Sequence, residues 1–515
     1  MTALDAALAS LPERYPGPGG AAAVIHEGHV IEARCWGYAN AETRRPFTRG
    51  TLFRMCSITK QFTCTLLLDA LDDPAVLDPL IAARLPLLRE PPPTTLHLAH
   101  NQSGLRDYWG VAMLHGAPAE SAFGDVEARR VIAGTRTLQF RPGTSYSYVN
   151  QNFRLISDAL EEKLGRSFGE LLRARIFDRF GMATAFLAAE TRAMPDSTEG
   201  YEGSEATGFR PAVNNVYWTG DAGLGASLDD MIAWEQAIDA QRDDPEGFYN
   251  RLSAPTVFAE GAPAPYGFGL VHSRLFEREA TSHGGALRGW RSHRLHIPSE
   301  RLSVVVLFNH MSEAHSAALK LAAAFLDASR PAVAPSPAES RLTGTFLEEE
   351  TGLAVRVTRG ARGVSVSYLY GAETLEEIGP DEAGRDATRL TLADGVVRMH
   401  RPQENRTSLL RRLPDAPNAR DIAGVYRCAE LEADLAVTDA GGALYGGFSG
   451  MLGLGRMERL QPLGGDVWLL PCLRALDHSP PGHWTLAFNR DASGVVTGAR
   501  VGCWIARNLL FERSP

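Results

Sequence analysis

Lysine is almost missing from this 515-residue chain: Lys60, Lys163 and Lys320 are the only ones, and the rest of the 52 basic residues are arginine. Arginine holds its proton too tightly to act as a base, so chemistry that needs an amine base is confined to three positions. Lys163 ("LEEKLG") and Lys320 ("ALKLAAAF") lie in helix-patterned stretches where a solvated face accounts for them, which leaves Lys60. The chain also lacks any run near the ~18 apolar residues of a membrane helix. Its first residues, "MTALDAALASLPERYPGPGG", have no basic start, apolar core or cleavage pattern of a signal peptide. Six cysteines (35, 56, 64, 428, 472 and 503) show no Cys-x-x-Cys spacing, and neighbourhoods such as "LLPCL" and "VGCWI" predict buried free thiols in a cytoplasmic protein. A net charge of −9 argues against nucleic acid and anionic membrane surfaces and mildly favours a small cationic substrate.

What is present is ordinary globular composition, 44% hydrophobic and 22% charged, in a chain long enough for several domains. "GGAAAVIHEGHVIEARCWGYA" predicts a hairpin turning at Glu27-Gly28. "NQNFRLISDALEEKLG", "FGELLRARIFDRFGM" and "DDMIAWEQAIDA" carry helical periodicity; "RLSVVVLFNH" is a buried strand and "SAALKLAAAFLDA" a closing helix. "SRPAVAPSPAESR", with three prolines and no periodicity, reads as a linker. Beyond it short strands and turns take over, and the pattern repeats: "LTGTFLEEETGLAVRV" from 342 resembles "IAGVYRCAELEADLAV" from 422, aligning Gly344 and Phe346 with Gly424 and Tyr426. An offset of 80 residues suits a small antiparallel barrel. The expected division is a catalytic domain at 1–328, a linker at 329–341, and β-barrel domains at 342–413 and 414–515.

Three short motifs carry chemistry. In "MCSITKQF", Ser57 and Lys60 are three apart; on a helix such residues are neighbours, about 5–6 Å between Cβ atoms, so the amine can reach the hydroxyl. An apolar setting would lower the lysine pKa and make it a base, while a helix N-terminus would stabilise charge on the serine adduct. In "FRPGTSYSYVNQNF", Tyr148 can shuttle a proton and Asn150 can donate to a carbonyl at a helix entry. In "ATSHGGALRGWR", His283 precedes two glycines that let a substrate lie against the backbone, and the N–H of Ala286 can join that of Ser57 as an oxyanion hole. Met singly, each motif is common by accident.

In this order and spacing they resemble the penicillin-recognising serine enzymes, which carry Ser-x-x-Lys, then Tyr-x-Asn, then a Lys-Thr-Gly or His-x-Gly strand. "LHLAHNQSGLRDYW" and "DAGLGASLDDMIAWEQ" are similar to two further segments of that family. "NQSGLRDYW", "APYGFGL", "HGGALRGWR" and "VGCWIAR" resemble its bacterial D-aminopeptidase branch, along the whole chain. The resemblance implies an α+β multidomain protein, a β-lactamase-like catalytic domain followed by two antiparallel β-barrels. It also implies a homodimer that releases an N-terminal D-residue, chiefly D-alanine, or glycine, from peptides, amides and esters. Ser57 would be the nucleophile, Lys60 its base, Tyr148 the proton shuttle positioned by His283, and Asn150 the group that orients the substrate; no metal or organic cofactor is implied.

Where carboxypeptidases and β-lactamases of the family place a lysine, this chain has His283, giving up the fixed charge that binds a substrate carboxylate. An aminopeptidase must hold an ammonium instead. By similarity the segment from Leu473 to His483 ("LRALDHSPPGH") reaches the catalytic cleft, and Asp477 pairs with the amine; on its residues alone it is a Pro-rich hairpin with an exposed aspartate. Rival readings are an esterase, a β-lactamase or a D-Ala-D-Ala carboxypeptidase of the same fold, or a sensor that remains acylated. "GRSFG" matches the Gly-x-Ser-x-Gly elbow, but a helical pattern precedes Ser167 where that motif needs a strand. His97/His100 and His293/His296 lack the spacing of a zinc-hydrolase helix.

Overall fold

The structure, a computed structural model, describes residues 2–328, 340–360, 363–368, 371–385, 388–476 and 480–515. The hairpin forms as Gly19–His26 and His29–Asn40, with Glu27 and Gly28 both at positive φ (51° and 74°), a combination that matches the right-handed twist of the strands. Gly19–His26 lies inside an eight-stranded antiparallel sheet, between His29–Asn40 and Leu302–Phe308; beyond the latter follow Trp290–Ile297, Arg278–Leu287, Leu270–Leu275 and Tyr266–Gly267. Both faces of the sheet are covered. Ala22, Val24, Val304 and Val306 pack on helices Ala3–Ala9 and Ala314–Phe325, and Ala21, Ala23, Val305 and Leu307 face the helical half of the domain. Burial on both sides explains the unbroken apolar runs "GGAAAVI" and "SVVVLF".

At the centre of the helical half is Thr59–Ala70, buried from Thr59 to Leu67 on every face. Gln151–Leu164 and Leu228–Ala240 form where the periodicity predicts them. "FGELLRARIFDRFGM" departs from a plain helix: Phe168–Leu172 is α-helical, and Arg173–Phe177 is a π turn. Bonding from i to i+5 brings Phe177 into line with Leu172, so Ile176 and Phe177 are both buried. Of the proline-rich stretch, residues 329–339 lie outside the described residues.

Eight strands from Gly344–Glu348 to Arg406–Arg412 then form a closed antiparallel barrel. The last ten, from Gly424–Cys428 to Ala506–Arg513, form one curled antiparallel sheet. Its seam is the stretch 458–464: Glu458–Arg459 pairs with Ala443–Gly450 and, past Leu460, Gln461–Gly464 pairs with Val467–Leu470. The sequence repeat is a structural one. Gly344 and Gly424 open their units at φ 152° and 154°, a conformation side chains rarely adopt, and pair with Val357 and Val437; Phe346 and Tyr426 are fully buried, and each first strand pairs with the last of its unit.

Both β units are fastened to the catalytic domain. Ser145 Oγ donates to Glu404 O at 2.6 Å, and Arg106 donates to Arg507 O at 2.7 Å and Glu430 Oε1 at 2.9 Å. The first contact braces the loop that leads into Tyr148. All six cysteines are free thiols, Cys35 half-buried and the other five buried.

Candidate active site

Strand Phe53–Arg54 delivers the chain into a 3-10 turn, Cys56–Ile58, that runs on into helix Thr59–Ala70. Cys56 carries φ 50°, a left-handed conformation that strains a non-glycine residue. The turn is held by Thr59 Oγ donating to Cys56 O (2.6 Å) and Ser292 Oγ donating to Met55 O (2.9 Å). Ser57 is thereby presented, half-buried, at a helix N-terminus. One turn later, Lys60 Nζ lies 3.0 Å from Ser57 Oγ, 2.9 Å from Asn150 Oδ1 and 2.7 Å from the backbone oxygen of Asp221. Lys60 is fully buried, and desolvation brings its pKa down to about 8 although Asp221 and Asp107 pull the other way.

Asn150, at the entry of helix Gln151–Leu164, cannot turn its amide. Its Nδ2 donates to Asp107 Oδ2 at 2.9 Å and its backbone N–H to the same oxygen at 2.5 Å. Asp107 also caps helix Tyr108–Leu114, its Oδ1 accepting from Trp109 N–H at 3.0 Å. Burial pushes the Asp107 carboxyl up to about 6 against these bonds. The Asp221 carboxylate is fixed by Tyr108 OH (2.6 Å) and Thr219 N–H (3.0 Å), which orients its carbonyl toward Lys60.

Tyr148 lines the same cleft as Ser57, and the Lys60 side-chain nitrogen is 4.9 Å from its ring centroid. Desolvation holds its phenol well above the usual value of 10, so it carries its proton and can donate. His283 is in strand Arg278–Leu287. Its Nε2 meets Tyr266 OH at 3.0 Å and its Nδ1 meets Gly284 O at 2.6 Å, whereas its ring centroid is 6.2 Å from that of Tyr148. Tyr266 in turn meets the Tyr148 ring edge-on at 6.4 Å, so His283 neighbours Tyr148 both directly and through Tyr266. The carbonyl at Nδ1 makes that nitrogen the donor and leaves Nε2 to accept from the phenol. Burial first, then Lys60, lowers His283 to about 3, so it is neutral at working pH.

Gly285 is required by close approach: a Cβ there would stand 2.2 Å from Met55 O and 2.1 Å from Ser292 Oγ. Ala286 follows at the exposed edge of the strand. It pairs with Arg291 next to the Arg288-Gly289 turn, and by antiparallel alternation its N–H points away from strand Trp290–Ile297. Ser57, Tyr148, Asn150, His283 and Ala286 all line one cleft of about 510 Å³. A slightly larger cavity, about 580 Å³, lies between segments 130–136 and 430–432 and holds no serine or cysteine.

The segment between Leu473 and His483 is described at its two flanks. Ala475 O and Leu476 O accept from Arg288 Nη2 (3.1 and 2.9 Å), and Pro480 and Pro481 line the cleft. Asp477, with the two residues after it, lies outside the described residues. Among the described cleft-lining residues the one carboxylate is Glu313, which the sequence motifs do not point to. Asp107, Asp221 and Tyr266 were likewise not singled out, although Asp107 stands inside the quoted "SGLRDYW".

The rival motifs find other uses. Ser167 caps helix Phe168–Leu172 in a reciprocal bond with Glu170, with helix Gln151–Leu164 before it. His97 caps its own helix at Thr94 N–H, while His293 and His296 go to different partners, His315 (3.2 Å) and Ser303 (2.9 Å).

Residues 4–329 match the family described as beta-lactamase, and residues 335–512 match "D-aminopeptidase, domain B". A D-aminopeptidase of Gluconobacter oxydans (strain 621H) is 60% identical over 99% of this chain and 98% of its own length. One from Cereibacter sphaeroides (strain ATCC 17029 / ATH 2.4.9) is 45% identical over 100% of this chain and 99% of its own. Among solved structures, the octameric penicillin-binding protein homologue of Pyrococcus abyssi aligns with a TM-score of 0.54 and 21% identity over 79% of this chain and 99% of that one. A D-stereospecific amidohydrolase from Streptomyces sp. gives 0.51 and 21% over 64% of this chain and 99% of that one. At such identities these two bear on the fold alone. The full-length relatives settle the family: the chain belongs to the D-aminopeptidases, within the penicillin-recognising serine hydrolases.

Proposed function

We propose that this protein is a serine D-aminopeptidase that releases an N-terminal D-residue, D-alanine ahead of glycine or D-serine, from small peptides, amides and esters. One observation carries the mechanism. Of the three oxygens around Lys60 Nζ, two (Asn150 Oδ1 and Asp221 O) can only accept, and Asn150 is locked in that sense by Asp107. A neutral amine donates its two protons to these and turns its lone pair to the third neighbour, the Ser57 hydroxyl.

Lys60 then takes the Ser57 proton as Oγ attacks the carbonyl carbon of the first residue. The N–H groups of Ser57 and Ala286 receive the oxyanion, each contributing about 3 kcal/mol. Tyr148 gives its proton to the departing amine and recovers one from Lys60, and water then attacks the acyl-enzyme, giving one proton to Ser57 Oγ as the acid leaves. Neutral His283 presents no cation to a substrate carboxylate, which favours a free amine over a free acid at this end of the substrate. Asp477 is the proposed ammonium partner, supported by Pro480 and Pro481 of its segment lining the cleft; Glu313 is the second candidate. The division at 328, 341 and 413, the homodimer and a cytoplasmic location complete the reading, the last supported by six free thiols.

Release of p-nitroaniline from D- and L-alanine p-nitroanilides, each with a free and an N-acetylated amine, tests it. Turnover confined to the free-amine D form is expected. Indifference to the acetyl group would make it an esterase or amidase. A D-alanyl adduct that persists on Ser57 in intact-mass spectra, without turnover, would make it a sensor.

A further inference from the structure

The last sheet meets the cleft at a second place besides segment 473–483. The hairpin between strands Val496–Cys503 and Ala506–Arg513 puts Trp504 and Ile505 into the cleft wall. Two sets of contacts hold this turn. Ile505 O accepts the N–H of Asp107 at 2.9 Å, and Asp107 is the residue that locks Asn150. The Ile505 side chain rests on Gly110, where a Cβ would come within 3.3 Å of its Cγ1. Trp504 is clamped from the first barrel and its own sheet: Tyr368 packs on it at 5.0 Å between ring centroids, and the Arg401 and Arg507 guanidiniums lie 5.6 and 5.0 Å from its ring centroid. All three structural units therefore converge on these two side chains.

The cleft has two unlike walls. One is polar, with Arg291, His293, Glu313 and His315; the other is apolar, built from Trp109, Trp504 and Ile505. An N-terminal residue acylated on Ser57 has an ammonium and a side chain to place. Aromatic faces attract cations, but the Trp504 ring is already taken by two arginines, Arg401 and Arg507, both paired with Glu404. The ammonium is thereby directed away from this wall and the side chain onto it. We propose that turn 503–506 is the wall of the pocket for the released residue's side chain, with Ile505, backed by Trp504, setting the upper limit on its size. The proposal rests on the aminopeptidase reading above.

The test compares kcat/KM of wild type, Ile505→Ala and Ile505→Phe on glycine, D-alanine and D-leucine p-nitroanilides, with melting temperatures to verify folding. Because Ile505 joins Asp107 through its backbone, both variants keep that bond. Ile505→Ala is expected to raise the D-leucine to D-alanine ratio about tenfold or more, and Ile505→Phe to raise the glycine to D-alanine ratio similarly. Ratios that stay within about threefold of wild type in folded variants, or a parallel loss of all three activities, would overturn the proposal and leave the turn a scaffold element. A wild-type protein inactive on all three would overturn the aminopeptidase reading itself, and the wall with it.

Discussion

Asn150 Oδ1 stands 2.9 Å from Lys60 Nζ, and the other end of the same amide is tied to Asp107 at 2.9 Å, so the acceptor facing the lysine is fixed. Burial has displaced that lysine from 10.5 to about 8, roughly 3 kcal/mol in favour of the neutral amine. Since the base must be neutral to accept the serine proton, kcat/KM should rise about tenfold per pH unit below 8 and level off above it. His283, at about 3, stays neutral across this window and adds no second limb. Asn150→Asp would set a carboxylate against Lys60, hold its proton more tightly and move the limb to higher pH, with activity at pH 7 falling about ten- to hundredfold. A limb unmoved in that variant would assign it to another group.

Asp107→Ala removes the anchor of Asn150 and the cap of helix Tyr108–Leu114 together. Loss of the cap and of the buried bonds should cost about 1–3 kcal/mol of stability. Released from its tether, Asn150 can present Nδ2 to Lys60, so kcat should fall by about a hundredfold with little change in KM. Comparing kcat and KM at a temperature well below the variant's melting point separates the two effects.

The parts of the site that were legible in the sequence are local or ordered along it. Ser57 and Lys60 meet through helix geometry, and the order of Tyr148 and His283 carried the family resemblance. The repeat was legible because Phe346 and Tyr426 fill the same place in successive units. What fixes Lys60 was not. Asp107 reaches Asn150 from 43 positions away, and Ile505 reaches Asp107 from the far end of the chain; neither distance leaves a periodic trace. The His283–Tyr266 bond was missed for the same reason, since "APYGFGL" gives no sign that its tyrosine faces that strand. The left-handed Cys56 and the π turn at Arg173–Phe177 are imposed by packing against the run of their own sequence.

Behind the cleft strand, Arg294 and Glu235 form a fully buried bidentate pair (2.8 and 2.6 Å), with Ser303 Oγ on the same carboxylate at 2.7 Å. Arg294→Met strands an uncompensated charge and should destabilise by about 3–5 kcal/mol; adding Glu235→Leu should recover most of it. Chemical denaturation of the two variants checks this, and equal stabilities would mean that the pair is not coupled.

Gly269 presses on the other side of Lys60: at φ 77°, its missing Cβ would stand 2.4 Å from the Lys60 carbonyl carbon and 2.5 Å from Gln61 N. Backbone cannot swing aside as a side chain can, so Gly269→Ala must shift either its own loop or the helix that carries Lys60. Gly261 is the natural control, with a similar φ of 88° and nothing within 4 Å of its missing Cβ. Gly261→Ala should cost only the left-handed strain, about 1–2 kcal/mol, and leave kcat near wild type. Gly269→Ala should cost more than that in thermal unfolding and lower kcat by tenfold or more, because it displaces the base from Ser57. Equal melting temperatures and equal kcat in the two variants would show that the loop around Gly269, not the helix, yields.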